Sequence, residues 1–231
     1  MTELGIIAAM EIEAQPLIAC MTDVTMETVS GVRFAKGNLN GHTTVVAVCG
    51  VGKVFAALCA QTMILNYQPA RIINTGVAGS LTTRLSIGDL VIAEQVVQHD
   101  MDTSALGDPV GFLSGINKVY LPTDADMVRK LTDAAQGVGV RALCGTIASG
   151  DRFISDGAHK TWIADTFDAL ACEMEGAAIG QVCYVNNVPF AVVRAISDDA
   201  SGQAQMDYPQ FSAMAAKNSV ALICRMAQNL T

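Results

Sequence analysis

The sequence predicts one α/β domain spanning residues 1–231, and three observations carry that reading. Short β-branched runs alternate with helical stretches from end to end, the pattern of strands laid side by side with helices returning over a sheet. The run Val188-Pro-Phe-Ala-Val-Val-Arg-Ala-Ile-Ser-Asp198 is apolar until late, as a parallel strand covered on both faces must be. Hydrophobic residues make up 51% of the chain and charged residues 16%, which supports a sizeable core.

The elements follow in order. Leu4–Ala9 reads as the first strand. Met10-Glu11-Ile12-Glu13 opens a helix to about Cys20, with Pro16 expected in its first turn. Val32–Leu39 and Thr43–Cys49 are strands joined at Asn40-Gly41, a strong hairpin signal. Gly50-Val51-Gly52-Lys53 leads into a helix ending near Tyr67. It lacks the glycine spacing and the hydroxyl residue of a triphosphate loop. Arg71–Asn74 is a short strand, followed by the glycine-rich Thr75-Gly-Val-Ala-Gly-Ser80. Gly88–Gln98 is a strand that runs into a His99-Asp100 loop. Residues 103–122 are irregular, and a connection of that length is usually functional or at an interface. Asp124–Gln136 is a helix on its apolar positions Met127, Val128, Leu131 and Ala134–Ala135. Leu143–Ala148 is a strand, Ala158–Phe167 a helix and Ala169–Cys172 a short strand. A helix rich in small residues follows Glu173-Met174-Glu175. After Asp199 come a polar loop, Ala200–Asp207, and a last helix from Pro209 to Gln228.

Composition narrows the functional classes. A net charge of −8 disfavours nucleic acid and anionic membrane as partners. No apolar run approaches the ~20 residues that span a bilayer. The chain starts Met-Thr-Glu and enters a strand directly, with no signal peptide expected. Seven cysteines form no Cys-x-x-Cys pair and read as reduced core thiols of a cytoplasmic protein. The low charge fraction leaves apolar surface for a subunit interface. His42, His99 and His159 are scattered without ligand spacing, so no metal site is expected.

The residues that can carry chemistry gather at two places. Glu11 and Glu13 begin a helix after the first strand. Glu173 and Glu175 begin another, and Arg194, Ser197 and Asp198 lie late in the strand that follows it. In open α/β sheets the ligand crevice lies beyond the carboxyl ends of the strands. Carboxylates also suit a helix N-terminus for purely electrostatic reasons, so spacing alone leaves capping and catalysis both open. Phe153, after a strand end, is either a platform for a planar base or core.

The motifs taken together resemble the 5′-methylthioadenosine/S-adenosylhomocysteine nucleosidases of the nucleoside phosphorylase/hydrolase superfamily. They are Ala9-Met10-Glu11-x-Glu13, Gly50-x-Gly52-Lys53, Asn74-Thr-Gly-x-Ala-Gly79, His99-Asp100-x-Asp102, Ala148-Ser-Gly-Asp151-x-Phe153-Ile154, Glu173-Met-Glu175-Gly176 and Arg194-Ala-Ile-Ser-Asp198, in family order along nearly the whole chain. The resemblance implies a three-layer α/β/α sandwich around a twisted mixed β-sheet, a homodimer, and hydrolysis of the adenine–ribose bond without metal or organic cofactor. By position Asp198 resembles the family's general acid and Glu13 its water-activating base. Glu175 resembles the ribose-hydroxyl acceptor, with Glu173 nearby and Met174 and Arg194 beside the sugar. Phe153 resembles the base-stacking aromatic, and the backbone of Ile154 the adenine-edge partner. Met10, Val51 and Tyr208 line the ribose and 5′ pockets by the same resemblance. The loop around Thr103, Leu106 and Pro109 would reach into a partner's site. Val77 departs from members that carry a serine near the acid, and Ser197 is the expected substitute hydroxyl.

Three other readings compete. A phosphorylase of the same superfamily needs cationic or backbone donors for phosphate. A nucleoside sensor would need neither Asp198 nor Glu13. A dinucleotide oxidoreductase would need G-x-G-x-x-G after the first strand, where this chain has Ala8-Ala9-Met10-Glu11.

Overall fold

A computed structural model describes residues 2–198 and 208–230, without the side chains of 208–213 and 215. The element order is β1 (Leu4–Ala8), α1 (Glu11–Ala19), β2 (Thr22–Val29), β3 (Val32–Leu39), β4 (His42–Val48), α2 (Lys53–Tyr67), β5 (Ile72–Ser80) and β6 (Leu90–Gln98). It continues with β7 (Tyr120–Pro122), α3 (Ala125–Val138), β8 (Ala142–Ser149), α4 (Gly157–Phe167), β9 (Ala169–Glu173), α5 (Gly176–Val185), β10 (Phe190–Asp198) and α6 (Tyr208–Ala227).

The strands form one mixed sheet in the order β10-β6-β8-β9-β5-β1-β4-β3-β2, with β7 added beside β6. Period-two alternation sends neighbouring residues to opposite faces. In β1, Leu4, Ile6 and Ala8 join a core with α1, α3 and α6, through Ala14, Leu17, Met127, Leu131, Leu222 and Ile223. Ile7 points the other way, into a core built with α2 and α5 through Ala56, Cys59, Met63, Ala177 and Ile179. Helices therefore cover both faces, which makes the three layers.

The sheet also closes on itself. β10 pairs in parallel with β5 and antiparallel with β6. β9 pairs with both β8 and β5. The strands β5, β10, β6, β8 and β9 thus form a ring. At the mouth of that ring Gly79 faces both Asp198 of β10 and Cys172 of β9. The strand ends that carry the candidate residues are forced together there.

Several expectations change. β2 was not anticipated. Its residues are mostly exposed and polar, so no buried face marks them, and pairing with β3 across the Ser30-Gly31 turn holds them in place. β5 continues through the glycine-rich segment to Ser80 rather than ending at Asn74. Pro16 is the sixth residue of α1, not in its first turn. Cys20 and Cys144 are exposed, whereas Cys49, Cys59, Cys172 and Cys183 are buried as expected. Asp199 and the segment 200–207 lie outside the described residues. Among the described residues no helix is long and apolar enough to cross a membrane.

Candidate active site

A cavity opens at the mouth of the strand ring. It is lined by Met10 from the β1–α1 turn, Glu13 of α1, Val51 before α2, Val77 and Gly79 of β5, Phe153, Glu173 to Glu175, and Arg194, Ser197 and Asp198 of β10.

Glu13 sits on the third residue of α1 and is almost fully buried. Its Oε2 accepts from the backbone N–H of Ala9 at 3.0 Å and of Met10 at 2.9 Å, and its Oε1 from that of Val77 at 3.0 Å. A glutamate bonded back to the helix-capping residue is half of a capping box. The capping reading and the catalytic one therefore share a residue. Burial pushes the Glu13 carboxyl above its usual range, although Arg194 and the three amides oppose the shift. Glu11, by contrast, points outward and pairs with Arg33 on the surface.

Arg194 is the hub of the charged groups around the cavity. It is 1% exposed and pairs with Glu173, with Glu175 at 3.3 Å and with Asn74 Oδ1 at 2.6 Å. Burial works against its charge, but Glu173, Glu175 and Glu13 together hold it above its ordinary value. Gly76 makes this approach possible, since a Cβ there would fall 2.5 Å from Arg194 Nη1 and 2.7 Å from Glu13 Oε1. Glu173 is committed elsewhere: its oxygens accept from Ser149 Oγ, from the N–H of Glu175 at 2.9 Å and of Gly176 at 2.8 Å. It anchors Arg194 and the start of α5. Glu175 precedes α5, and its Oε1 accepts from Gly52 N–H at 2.8 Å. The Gly-x-Gly-Lys segment thus serves a carboxylate rather than a phosphate. Burial pushes the Glu175 carboxyl up to about 7, with Arg194 opposing.

Asp198 ends β10 at the other side of the cavity. Its Oδ2 accepts from Lys160 Nζ at 2.7 Å, and Ser197 Oγ lies 3.3 Å from its Oδ1. Gly79 packs beneath, where a Cβ would fall 3.0 Å from Oδ2.

Sequence similarity gives this cavity its context. The phosphorylase superfamily pattern matches residues 3–228. A 5′-methylthioadenosine/S-adenosylhomocysteine nucleosidase of Shewanella loihica is 37% identical over 99% of this chain and 100% of its own length. A Neisseria meningitidis nucleosidase of the same description, solved with methylthio-immucillin-A, superposes with a TM-score of 0.95 at 32% identity over the whole of both chains. A Helicobacter pylori futalosine hydrolase superposes with a TM-score of 0.94 at 33% identity, over 99% of this chain and 98% of its own.

The chain belongs to the 5′-methylthioadenosine/S-adenosylhomocysteine nucleosidase family. It is an enzyme of the N-glycosidase class, and its layered mixed sheet is that of the nucleoside phosphorylases and hydrolases.

Most of the family-like residues meet at the cavity; some do not. Phe153 is 53% exposed at its edge. The Ile154 side chain is core, packed with Leu81, Val97 and Phe167, which leaves only its backbone for a ligand. Thr103, Leu106 and Pro109 do not line the cavity of their own chain, and Leu106 is 82% exposed. The Tyr208 side chain lies outside the described residues. Lys53 is engaged with Asp100 at 2.6 Å and Gln98 at 3.1 Å. Sequence reasoning missed Lys160, Ser149 and Asn74 as partners of the charged groups. Asn74 and Ser149 lie inside family motifs, which was a usable signal. Lys160 lies in no motif.

Proposed function

We propose that this enzyme hydrolyses the N-glycosidic bond of 5′-methylthioadenosine and S-adenosylhomocysteine, and of 5′-deoxyadenosine, releasing adenine and the matching ribose sugar. Asp198 donates a proton to adenine N7. The C1′–N9 bond breaks with its electron pair passing to the base, and the sugar gains oxocarbenium character. Water attacks C1′ from the opposite face and gives its proton to Glu13. Glu175 accepts from a ribose hydroxyl beside Met174 and Arg194. Phe153 stacks on adenine, the backbone of Ile154 meets the base edge, and Met10, Val51 and Tyr208 shape the ribose and 5′ pockets. Val77 adds apolar wall.

One observation carries hydrolysis over phosphorolysis. Arg194 is the one cation among the described residues lining the cavity, and Glu173 and Glu175 already pair with it. A phosphate beneath the sugar would meet carboxylates. At about 4 Å and an effective dielectric near 20, each like-charge pair costs roughly 4 kcal/mol. Water needs no counter-charge.

The enzyme is further read as a cytoplasmic homodimer of single-domain subunits, acting in methionine salvage. Support for the dimer comes from α2, which exposes Val54, Phe55, Leu58 and Leu65, and from a groove between α2 and α5. The exposed Leu106 loop would reach the partner's cavity. Sedimentation should show a dimer at micromolar concentration, and a fully active monomer would contradict it.

The reaction is tested by following adenine release from a panel of 5′-substituted adenosines with and without phosphate. Free reducing sugar at a phosphate-independent rate is expected. A sugar 1-phosphate, with turnover lost on removing phosphate, would replace this reading by the phosphorylase one. The likeness to a futalosine hydrolase adds 6-amino-6-deoxyfutalosine to the panel.

A further inference from the structure

We propose that Lys160 is a positioning residue for Asp198, fixing the carboxyl so that it can hand its proton to the leaving base. The proposal rests on the reading of Asp198 as the leaving-group acid.

Lys160 is the fourth residue of α4 and is 3% exposed. It occupies the inward face of the helix with Ile163 and Phe167, one and two turns on, which are both core. A lysine on such an apolar stripe is rare unless it is paired. Its Nζ lies 2.7 Å from Asp198 Oδ2, and the two side chains are 3% and 11% exposed.

Stability is a poor reason for this pair. Two buried charges lose several kcal/mol of hydration each, and an apolar pair of similar volume is often as stable. Orientation is a better reason. A carboxylate that ends a strand can swing about its side-chain torsions, and only some settings aim an oxygen at a base. Among the described residues three contacts fix it. The ammonium donates to Oδ2, the Ser197 hydroxyl reaches Oδ1 at 3.3 Å, and Gly79 packs below. The Ser197 contact is long, and that hydroxyl also lies 3.4 Å from the Ala78 carbonyl. Val77, lining the same cavity, has no hydroxyl to offer. The short, charge-assisted bond from Lys160 is therefore the stronger constraint.

The chemical step balances without changing Lys160. Asp198 first takes a proton from solvent on the oxygen that the ammonium does not hold; that O–H bond then breaks and N7–H forms, while the glycosidic electron pair goes to adenine. The remaining carboxylate stays paired with the ammonium.

The test compares two leaving groups on Lys160→Met, Lys160→Arg and Asp198→Asn. One substrate is 5′-methylthioadenosine. The other is the 4-nitrophenyl 5-methylthioriboside, whose phenolate departs without a proton. A misplacement near 1 Å costs about 100-fold, so Lys160→Met should lose about that in kcat on the adenosine, with KM changed by less than about threefold. On the nitrophenyl sugar it should stay within about twofold of the unmodified enzyme. That second rate also shows that the variant is folded. Lys160→Arg, which keeps charge and donors, should recover most of the loss.

Equal losses of Lys160→Met on both substrates would mark a merely structural role and overturn the proposal. So would an Arg variant as slow as the Met variant, or a Met variant unimpaired on 5′-methylthioadenosine while Asp198→Asn is slow. Full turnover of Asp198→Asn would instead remove the acid reading on which the proposal stands.

Discussion

Glu13 and Asp198 line one cavity from different elements, α1 and β10, both buried, and they are held in different ways. Three backbone N–H groups grip Glu13, from the residue after β1, the helix cap and β5. Among the described residues, side chains grip Asp198: the Lys160 ammonium from α4, 38 residues away in sequence, and at longer range the Ser197 hydroxyl. Backbone amides are present whatever the side chains are, so the Glu13 site is fixed by the fold. The Asp198 site depends on side chains that substitution can remove, Lys160 first among them. The base wall is therefore expected to be robust and the acid wall adjustable.

Replacing the two carboxylates gives the largest effect. Glu13→Gln and Asp198→Asn should each lower kcat by roughly 100- to 10,000-fold while retaining ligand binding, measured by steady-state adenine release and by calorimetry. The comparison breaks if either variant turns over like the unmodified enzyme.

A smaller effect sharpens the wall built on Arg194. Burial pushes the folded Glu175 carboxyl up to about 7, from an ordinary value of 4.5. The folded state then binds more protons than the unfolded one across that window. The stability this group contributes is complete below 4.5 and is lost as pH rises through about 7. Tm of the free enzyme should fall with rising pH over that range, and Glu175→Gln should flatten the slope. If the ionised carboxylate accepts the ribose hydroxyl, KM should rise as pH drops below about 7. A KM independent of pH would take Glu175 out of ribose binding.

The smallest effect concerns the exposed edge. Stacking on an aromatic is worth about 1–3 kcal/mol per base, so Phe153→Ala should raise KM roughly tenfold with little change in kcat. An unchanged KM would leave Phe153 without a role in base binding.

What was legible in the sequence follows the same division. The Asn40-Gly41 hairpin, the apolar run of β1 and the carboxylates at the start of α1 are local, and each could be read from a few adjacent residues. The glycines at 76 and 79 were visible as a motif, but why they are glycine was not. Their neighbours, Arg194, Glu13 and Asp198, arrive from elsewhere in the chain. β2 was missed because an exposed edge strand carries no buried face to give a period. Lys160 was missed because a lysine in a helix normally lies in water, and only the ring formed by β5, β10, β6, β8 and β9 brings Asp198 to it. The closure of that ring was equally invisible, since it depends on β5 pairing with β10 and then β9.

The most direct measurement of the division of labour uses Glu13→Gln and Asp198→Asn on two substrates that share a sugar. With 5′-methylthioadenosine both variants should be slow. With the 4-nitrophenyl 5-methylthioriboside, Asp198→Asn should return to nearly the unmodified rate, because phenolate leaves without a proton, and Glu13→Gln should stay slow, because water still lacks its base. Recovery of Glu13→Gln, or equal losses of Asp198→Asn on both substrates, would contradict the assignment of base and acid to these two walls.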